Sequence, residues 1–225
     1  MNAIEVKQCL LWAGVDRLYH CNTVVTALSF LKCGGLLSRQ SAENMGLPQT
    51  SQGSDEIDKR LGVYNDIFFD SVDIHERAHR INEYGAVLFV YSLDVLDRLV
   101  NYDIGVTYDN PIRWDPATPE EKRYFQRSEE FRCFQKGNFA QHITVRNISV
   151  PLSFDYLQEI IIDDPGEEKA DYLNQARRCI EAALAQWNLS IPIRVRECPD
   201  TCSCIKKYRE SKPGYTYYRF QTELS

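Results

Sequence analysis

Apolar residues recur along the chain with two periods, which predict strands in some segments and helices in others. Residues 167–187 place apolar side chains at helical spacing and predict the clearest amphipathic helix. The continuous apolar run at 85–91 has the length of a buried central strand. Shorter segments predict strands over 16–20, 63–70, 141–145 and 159–163, a helix from Thr23 or Thr26 to Lys32, and a helix over 72–82. Strand-rich segments with a few packed helices predict an α+β fold.

Two polar stretches interrupt these elements and predict loops. Residues 40–56 are rich in Ser, Gln, Gly and Asn, and we expect either a mobile loop over a site or a simple connection. Residues 101–123 carry prolines and several aspartates, which predict a long surface excursion.

Size and composition predict one domain over residues 1–225. The chain is 44% apolar and 12% aromatic, which is enough to bury a full core. No apolar run approaches the roughly 18 residues that span a bilayer, and the first residues lack the pattern of an export signal, so we expect a cytoplasmic protein with no membrane partner. The net charge of −6 argues against a protein that coats nucleic acid without specificity.

The eight cysteines are interpreted as reduced thiols, because the chain is long and shows no export signal. Cys198, Cys202 and Cys204 cluster with C-x3-C-x-C spacing, which could hold a metal. A closed zinc site needs four ligands, however, and no histidine follows His142. We therefore expect no metal there.

The string His75-Glu76-x-x-His79 matches the signature of zinc metallopeptidases. On a helix, this spacing would place both imidazoles on one face with Glu76 beside them. The surrounding residues are polar throughout, which favours a solvated helix. A metallopeptidase stays as one alternative function.

Residues 188–225 predict a basic and aromatic C-terminal extension. Cations hold a nucleic-acid backbone and aromatic rings stack on bases, so this composition suits a single-stranded ligand. A terminal hairpin with a solvated face is the competing interpretation. The candidate contacts are Lys206, Lys207, Arg209, Tyr217 and Tyr218, within a basic set that also includes Arg194, Arg196, Lys212 and Arg219.

Several short motifs occur in an order that resembles the DarT-like ADP-ribosyltransferases, over roughly residues 16–163. The order and the spacing match better than any single motif does. The matching pieces are Leu18-Tyr19-His20, Gly35-Leu36-Leu37-Ser38, Arg60, Asp66-Ile67-Phe68-Phe69, Val87-Leu88-Phe89-Val90, Ala140-Gln141-His142-Ile143 and Val150-Pro151-Leu152.

The resemblance implies a split, mixed or antiparallel sheet with flanking helices and a cleft for NAD. His20 would contact the nicotinamide side of NAD, because an imidazole offers one donor and one acceptor in a fixed plane. Arg60 would stand beside the phosphates or the incoming base, unless it forms a surface ion pair with Asp55 or Glu56. The other residues that the resemblance assigns to cofactor binding are Asn22, Thr23, Leu37, Arg39, Tyr64 and Phe68.

The resemblance places the catalytic glutamate of the family at Gln141, together with Arg60 as the second catalytic residue. A glutamine keeps the hydrogen bond to the ribose but loses the charge that stabilises a cationic transition state, which costs on the order of 10²–10³ in rate. Three explanations stay open: a natural glutamine variant of the site, another carboxylate such as Glu159 or Glu130, or an inactivated copy of a toxic enzyme.

The resemblance therefore implies a transferase that moves ADP-ribose from NAD to a nucleobase in single-stranded DNA or in RNA. It also implies a toxin of a toxin–antitoxin or phage-defence system, held in check by an antitoxin protein. A non-catalytic NAD- or nucleic-acid-binding module with the same fold is the second interpretation.

Overall fold

The computed structural model combines helices and strands and describes residues 1–199 and 201–223. The helices are α1 (Ala3–Trp12), α2 (Val24–Lys32), α3 (Arg39–Asn44), α4 (Asp55–Leu61), α5 (Ile74–Ala78), α6 (Ala170–Gln186), α7 (Ser203–Glu210) and α8 (Pro213–Phe220). The strands are β1 (Arg17–Asn22), β2 (Gly35–Leu36), β3 (Ile67–Phe69), β4 (Val87–Ser92), β5 (Ile104–Val106), β6 (Ile143–Val145), β7 (Leu152–Ser153), β8 (Leu157–Ile162) and β9 (Ile193–Val195).

The strands form a split sheet. One half has the order β1-β4-β8-β9, in which β1, β4 and β8 are antiparallel neighbours and β9 runs parallel to β8. The other half has the antiparallel order β3-β6-β5, and β2 pairs with β7. The halves meet where the backbone of Tyr19 in β1 exchanges hydrogen bonds with Asp70, directly after β3. The α+β class and the mixed, split sheet predicted above are confirmed.

The central strand of the larger sheet is the one that the continuous apolar run predicts. Residues Val87 to Tyr91 of β4 are buried between β1 and β8. Such a strand has no solvent-facing side, so apolar side chains stabilise both of its faces.

Two segments differ from what the pattern predicts: residues 40–56 gain helices, and residues 72–82 keep only one helical turn. Residues 40–56 are not a plain loop, since they include most of α3 and the start of α4. The helix predicted over 72–82 is a single turn, α5. It ends because His79 takes a left-handed conformation with a φ of 48°.

The C-terminal segment is packed into the core. Cys202, Cys204, Tyr208 and Phe220 are buried in the same hydrophobic cluster as Ala3 of α1. The segment forms α7 and α8 rather than the alternative terminal hairpin. In the described parts of the chain, every helix is too short or too polar to cross a bilayer.

Two arginines that the sequence places on a basic face are buried. Arg196 lies 2.7 Å from Asp73 and 2.9 Å from Asp163, measured between guanidinium nitrogens and carboxylate oxygens. Arg219 also lies near Asp163, at 3.7 Å, and donates to the backbone carbonyl of Asn82. Both side chains hold the C-terminal segment against the rest of the fold, so neither belongs to an exposed basic surface.

Candidate active site

A pocket opens where the two halves of the sheet meet. Its empty space is about 970 Å³, a figure that includes open solvent. Its walls combine aromatic rings with a few polar and ionisable groups. The lining includes Tyr19, His20, Asn22, Phe30, Leu37, Arg39, Asp58, Tyr64, Asp66, Phe68, Phe69, Asp70, Tyr84, Asn110, Ile112 and His142.

His20 stands on the pocket wall as a neutral ring of defined tautomer. Its Nδ1 lies 2.8 Å from the carbonyl oxygen of Phe68, and its Nε2 lies 3.0 Å from Nδ2 of Asn22. A carbonyl oxygen only accepts, so Nδ1 carries the proton and Nε2 accepts from the asparagine amide. Burial lowers the pKa of His20, which keeps the ring uncharged at neutral pH.

Asn22 presents a buried acceptor to the same wall. Its Oδ1 has no hydrogen-bond partner among the described residues, and a buried acceptor left unpaired costs about 1–3 kcal/mol. A ligand that brings an N–H group would satisfy it. Gly85 allows this arrangement, because a Cβ at that position would lie 1.9 Å from the carbonyl carbon of Asn22.

Arg39 brings positive charge to the pocket. Its Nε lies 2.5 Å from Oδ1 of Asp55, and its Nη2 donates to Asp55 Oδ2 at 2.8 Å and to the carbonyl of Thr50 at 2.9 Å. These contacts fix the plane of the guanidinium. Its Nη1 is buried and has no hydrogen-bond partner in the described part of the chain, and such a donor suits a phosphate oxygen.

His142 and Asp70 form a second polar pair in the pocket. Oδ1 of Asp70 lies 3.4 Å from Nδ1 of His142, and Nδ2 of Asn110 lies 3.2 Å from Nε2. An amide nitrogen only donates, so Nε2 is the accepting atom and Nδ1 carries the proton toward the carboxylate. An imidazole oriented in this way can accept a proton from a ligand that displaces the asparagine amide.

Asp66 is a buried carboxyl group on the same wall. Its Oδ1 accepts from the backbone N–H of Asn147 at 2.9 Å, whereas its Oδ2 is buried with no partner among the described residues. Burial raises the pKa of Asp66 to about 7. The native protein therefore holds this proton up to neutral pH.

Replacing Asp66 by asparagine is expected to remove a pH dependence of stability. The unfolded chain releases the proton near a pKa of about 3.9, so this group lowers the free energy of unfolding as pH rises from about 4 to about 7. Asp66→Asn should raise the free energy of unfolding at pH 8 by up to about 4 kcal/mol and change it little at pH 4. Urea denaturation at both pH values measures this, with the exposed Asp171→Asn as control. An equal effect of Asp66→Asn at both pH values would contradict the prediction.

All of the predicted cofactor-binding residues except Thr23 line this pocket. Thr23 begins α2, and its hydroxyl is hydrogen-bonded to the hydroxyls of Thr26 and Thr50. Arg60 is exposed on α4 and is not part of the lining. Its contact with phosphates stays a prediction, whereas Arg39 lines the pocket.

Gln141 lies outside the pocket lining, although His142 beside it belongs to the lining. The Gln141 side chain accepts from the backbone N–H of Gln135 at 2.8 Å and donates to the carbonyl of Cys133 at 3.1 Å. Both ends of the amide are thus engaged with backbone. A catalytic role for Gln141 stays a prediction, and its position speaks against that role.

Replacing Gln141 by glutamate is expected to destabilise the protein without creating a catalytic group. A carboxylate cannot donate to the carbonyl of Cys133, and the loss of this part-buried hydrogen bond costs about 0.5–1.5 kcal/mol. Thermal or urea unfolding of the variant measures the loss, with the exposed Gln8→Glu as the matched control. A fully stable variant with a new transferase activity would refute this assignment.

The two other carboxylates considered from the sequence also lie outside the pocket lining. Glu159 in β8 pairs with Arg194 at 3.1 Å. Glu130 accepts from the hydroxyl of Tyr108 at 2.7 Å, and its hydrogen bonds lower its pKa to about 2. Neither glutamate replaces the family's catalytic residue in this pocket.

The predicted nucleic-acid contacts lie on the surface of α7 and α8. Tyr218 donates its hydroxyl to the carbonyl of Ser51 at 2.6 Å, and the adjacent Gln52 lines the pocket. Tyr218 therefore lies near the pocket rim, and the binding of nucleic acid by this surface stays a prediction. Its exposed residues include Lys206, Lys207, Arg209, Tyr217 and Tyr218.

The His75-Glu76-x-x-His79 string does not form the ligand pair of a metallopeptidase. Since α5 ends at His79, the two imidazoles do not share a helical face: His75 is buried and His79 is exposed. His75 instead lies among Cys198, Cys202 and Cys204, in a group of possible metal ligands. The cysteine cluster therefore has a fourth possible ligand, which comes from a distant segment.

The sequence reasoning missed His142, Asp70 and Asn110 as members of the site. His142 was part of a matched motif, one position after the residue to which the function was assigned. Asp70 is the polar end of the strand predicted over 63–70. No signal in the sequence indicated that Asn110, in the predicted surface excursion, would reach the pocket.

Comparison of the fold with solved structures finds DarT from Thermus sp. 2.9. Its complex with NAD+ matches with a TM-score of 0.51 at 13% identity, over 81% of this chain and 96% of that chain. Its complex with ADP-ribosylated ssDNA matches with a TM-score of 0.50 at 12% identity, over 81% and 95%. A scan against protein-family models and a search of curated proteins gave no match. The resemblance inferred from the sequence is thus confirmed at the level of the fold, which this chain shares with DarT ADP-ribosyltransferases.

Proposed function

We propose that this chain is an NAD-dependent ADP-ribosyltransferase that acts on DNA. The observation that carries the proposal is a pair of unpartnered buried atoms in one pocket, Asn22 Oδ1 and Arg39 Nη1. The first suits the N–H of a carboxamide and the second suits a phosphate oxygen, and NAD contains both groups. The shared fold supports the same ligand, since the similar DarT structures are complexes with NAD+ and with ADP-ribosylated ssDNA.

We assign different residues of the pocket to the nicotinamide and to the pyrophosphate of NAD. Asn22, held by His20, would bind the carboxamide of the nicotinamide, and Arg39 would bind the pyrophosphate. Aromatic and apolar side chains would cover the remaining surface and exclude water from it. These are Phe30, Leu37, Tyr64, Phe68 and Phe69.

NAD supplies an ADP-ribosyl group on a reactive N-glycosidic bond. The proton of an attacking amine needs an acceptor, and His142 Nε2 would serve as that acceptor. Asp70 orients the ring and provides a carboxylate in the same pocket. Together, these two residues take over the roles of base and charge that the family assigns to a glutamate.

The acceptor that we propose is a nucleobase in single-stranded DNA, with RNA as the second choice. An unpaired base enters a pocket at lower cost than one that must leave a duplex. The exposed Tyr217 and Tyr218 near the rim offer stacking surfaces for neighbouring bases. Such an activity would damage the cell that makes it, so we also propose a toxin controlled by an antitoxin protein.

A non-catalytic NAD-binding module is the second candidate, and one observation favours it. The pocket lining contains aspartates but no glutamate among the described residues, and Gln141 is turned to the backbone. The loss of one electrostatic stabiliser costs on the order of 10²–10³ in rate. A chain with such a loss could retain the ligand without turning it over.

One experiment separates the two candidates. The full chain is mixed with NAD+ labelled at the adenylate phosphate and, separately, with single-stranded DNA, duplex DNA, RNA or a protein mixture, while calorimetry measures NAD+ binding. We expect binding and label on single-stranded DNA; binding without transfer would identify the module. Asn22→Ala should abolish binding, and the exposed Asn44→Ala should not. Absence of binding by the unmodified chain would overturn both candidates.

A further inference from the structure

Four metal-ligating side chains converge away from the pocket. They are His75 on α5, Cys198 after β9, and Cys202 and Cys204 at the start of α7. The imidazole Nε2 lies 3.0 Å from the sulfur of Cys198, 3.1 Å from that of Cys202 and 3.3 Å from that of Cys204. Cys204 also lies 3.3 Å from Cys198 and 3.1 Å from Cys202, between sulfurs. Five of the six separations between the four ligand atoms are thus 3.0–3.3 Å, and all four atoms lie within 4.8 Å of one another.

The distances fit a shared ion better than a disulfide. A disulfide would join two sulfurs at about 2.05 Å and leave the third thiol and the imidazole without that role. Zinc bonds of about 2.3 Å to sulfur and about 2.0 Å to nitrogen separate the ligand atoms by roughly 3.5–3.8 Å. Side-chain adjustments of up to about 1 Å would bring the four ligand atoms to those separations.

The environment of the cluster is that of a closed, structural site. Cys202 and Cys204 are 2% and 3% exposed and His75 is 7% exposed. Three thiols and an imidazole in an apolar core have few other ways to satisfy one another, and Cys₃His is an established ligand set for structural zinc. Because the chain provides all four ligands, no coordination position remains for a substrate.

The carboxylate of Asp73 contacts both segments that supply the ligands, α5 and the residues after β9. Oδ1 of Asp73 accepts from the backbone N–H of His75 at 2.9 Å and so begins α5. Oδ2 of Asp73 lies 2.7 Å from Arg196, which precedes Cys198 by two residues. Contacts of this kind hold metal ligands in place before the ion binds.

We propose that His75, Cys198, Cys202 and Cys204 bind one structural Zn²⁺ ion that fastens the C-terminal segment to α5. Arg219 of the same segment donates to the backbone carbonyl of Gly85, which lies behind the pocket wall. Gly85 packs against the backbone of Asn22, and Tyr84, which precedes Gly85, lines the pocket. The zinc site therefore stabilises one wall of the pocket without contacting its ligand. This proposal is independent of the function proposed above.

Metal analysis of the full chain tests the proposal. Protein expressed in zinc-supplemented medium should contain one zinc per chain by inductively coupled plasma mass spectrometry. Cys202→Ser and Cys204→Ser should lower the zinc content to background. The matched controls Cys179→Ser, on α6, and His79→Ala should keep it. Full zinc content in Cys202→Ser, or a folded unmodified chain without zinc, would overturn the proposal.

A second measurement covers variants that fail to fold. The unmodified chain is exchanged into Co²⁺, and we expect the visible absorption of tetrahedral cobalt together with the near-ultraviolet bands of thiolate ligands. Titration of the thiols with an organic mercurial should release the zinc in parallel. Octahedral cobalt spectra, or a disulfide between two of these cysteines in the intact mass, would contradict the site.

Discussion

Replacing His142 by alanine is expected to lower the rate of ADP-ribose transfer by about 10²–10⁴-fold, the usual contribution of a positioned general base. The reason is geometric: Nε2 is the accepting atom of a ring whose Nδ1 lies 3.4 Å from Asp70. NAD+ binding should change little, because the unpartnered atoms that we assign to it belong to Asn22 and Arg39. Single-turnover transfer and calorimetric titration of NAD+ measure the two effects separately.

The conservative variant Asp70→Asn provides a second readout for the same pair. It keeps the size of the side chain but removes the charge that orients the imidazole, so its transfer rate should fall between those of the unmodified chain and His142→Ala. Free imidazole in the buffer should restore part of the activity of His142→Ala. An unchanged transfer rate in His142→Ala would remove this residue from the mechanism.

Replacing Arg196 by alanine is expected to lower the free energy of unfolding by about 3–5 kcal/mol, because it leaves two carboxylates buried without their cation. Asp73 and Asp163 contact the guanidinium at 2.7 and 2.9 Å, and both are nearly inaccessible to solvent. In the variant, Asp163 would keep two partners for its Oδ2, since Nη2 of Arg219 lies 3.7 Å away and the Tyr208 hydroxyl donates to it at 2.8 Å. Asp73 would lose its only cation among the described residues. Urea denaturation of the full chain measures the loss.

Arg194 is the matched control for Arg196. It lies in β9, is exposed, and pairs with Glu159 at the surface, so Arg194→Ala should cost no more than about 1 kcal/mol. Adding Asp73→Asn to Arg196→Ala should recover part of the stability, because one unpaired charge disappears. Equal losses for Arg194→Ala and Arg196→Ala would contradict the assignment.

The resemblance to the DarT-like enzymes implies that His20 and Arg39 share a cleft, and both line the pocket. His20 belongs to a short strand motif and Arg39 follows a glycine-ended helix, and the structure places both in the pocket lining. These positions depend on neighbouring residues in the chain, which the sequence displays directly. The fold class follows from the same local signals, above all from the apolar run that becomes β4.

The opposite wall depends on register, which a short motif does not determine. Successive residues of an extended segment point to opposite sides, so a shift of one position exchanges Gln141 for His142. The glutamine is bound to the backbone of Gln135 and Cys133, and the histidine lines the pocket. Tests of catalysis should therefore target His142 and Asp70, which line the pocket, before Gln141, which does not.

The cysteine cluster shows a second limit of sequence reasoning. The spacing of Cys198, Cys202 and Cys204 indicates a possible site, but the missing ligand, His75, is 123 residues from Cys198. Only tertiary packing brings α5 beside α7. The same packing buries Arg196 and Arg219, which the sequence alone placed on a basic surface.

The most direct test of the proposed function is the mass of an oligonucleotide after incubation with the full chain and NAD+. We predict that single-stranded DNA gains the mass of one ADP-ribose while nicotinamide is released in equal amount. Asn22→Ala should give unmodified DNA, and the exposed Asn44→Ala should behave like the unmodified chain. DNA of unchanged mass in the presence of bound NAD+ would contradict a transferase and leave a binding module in its place.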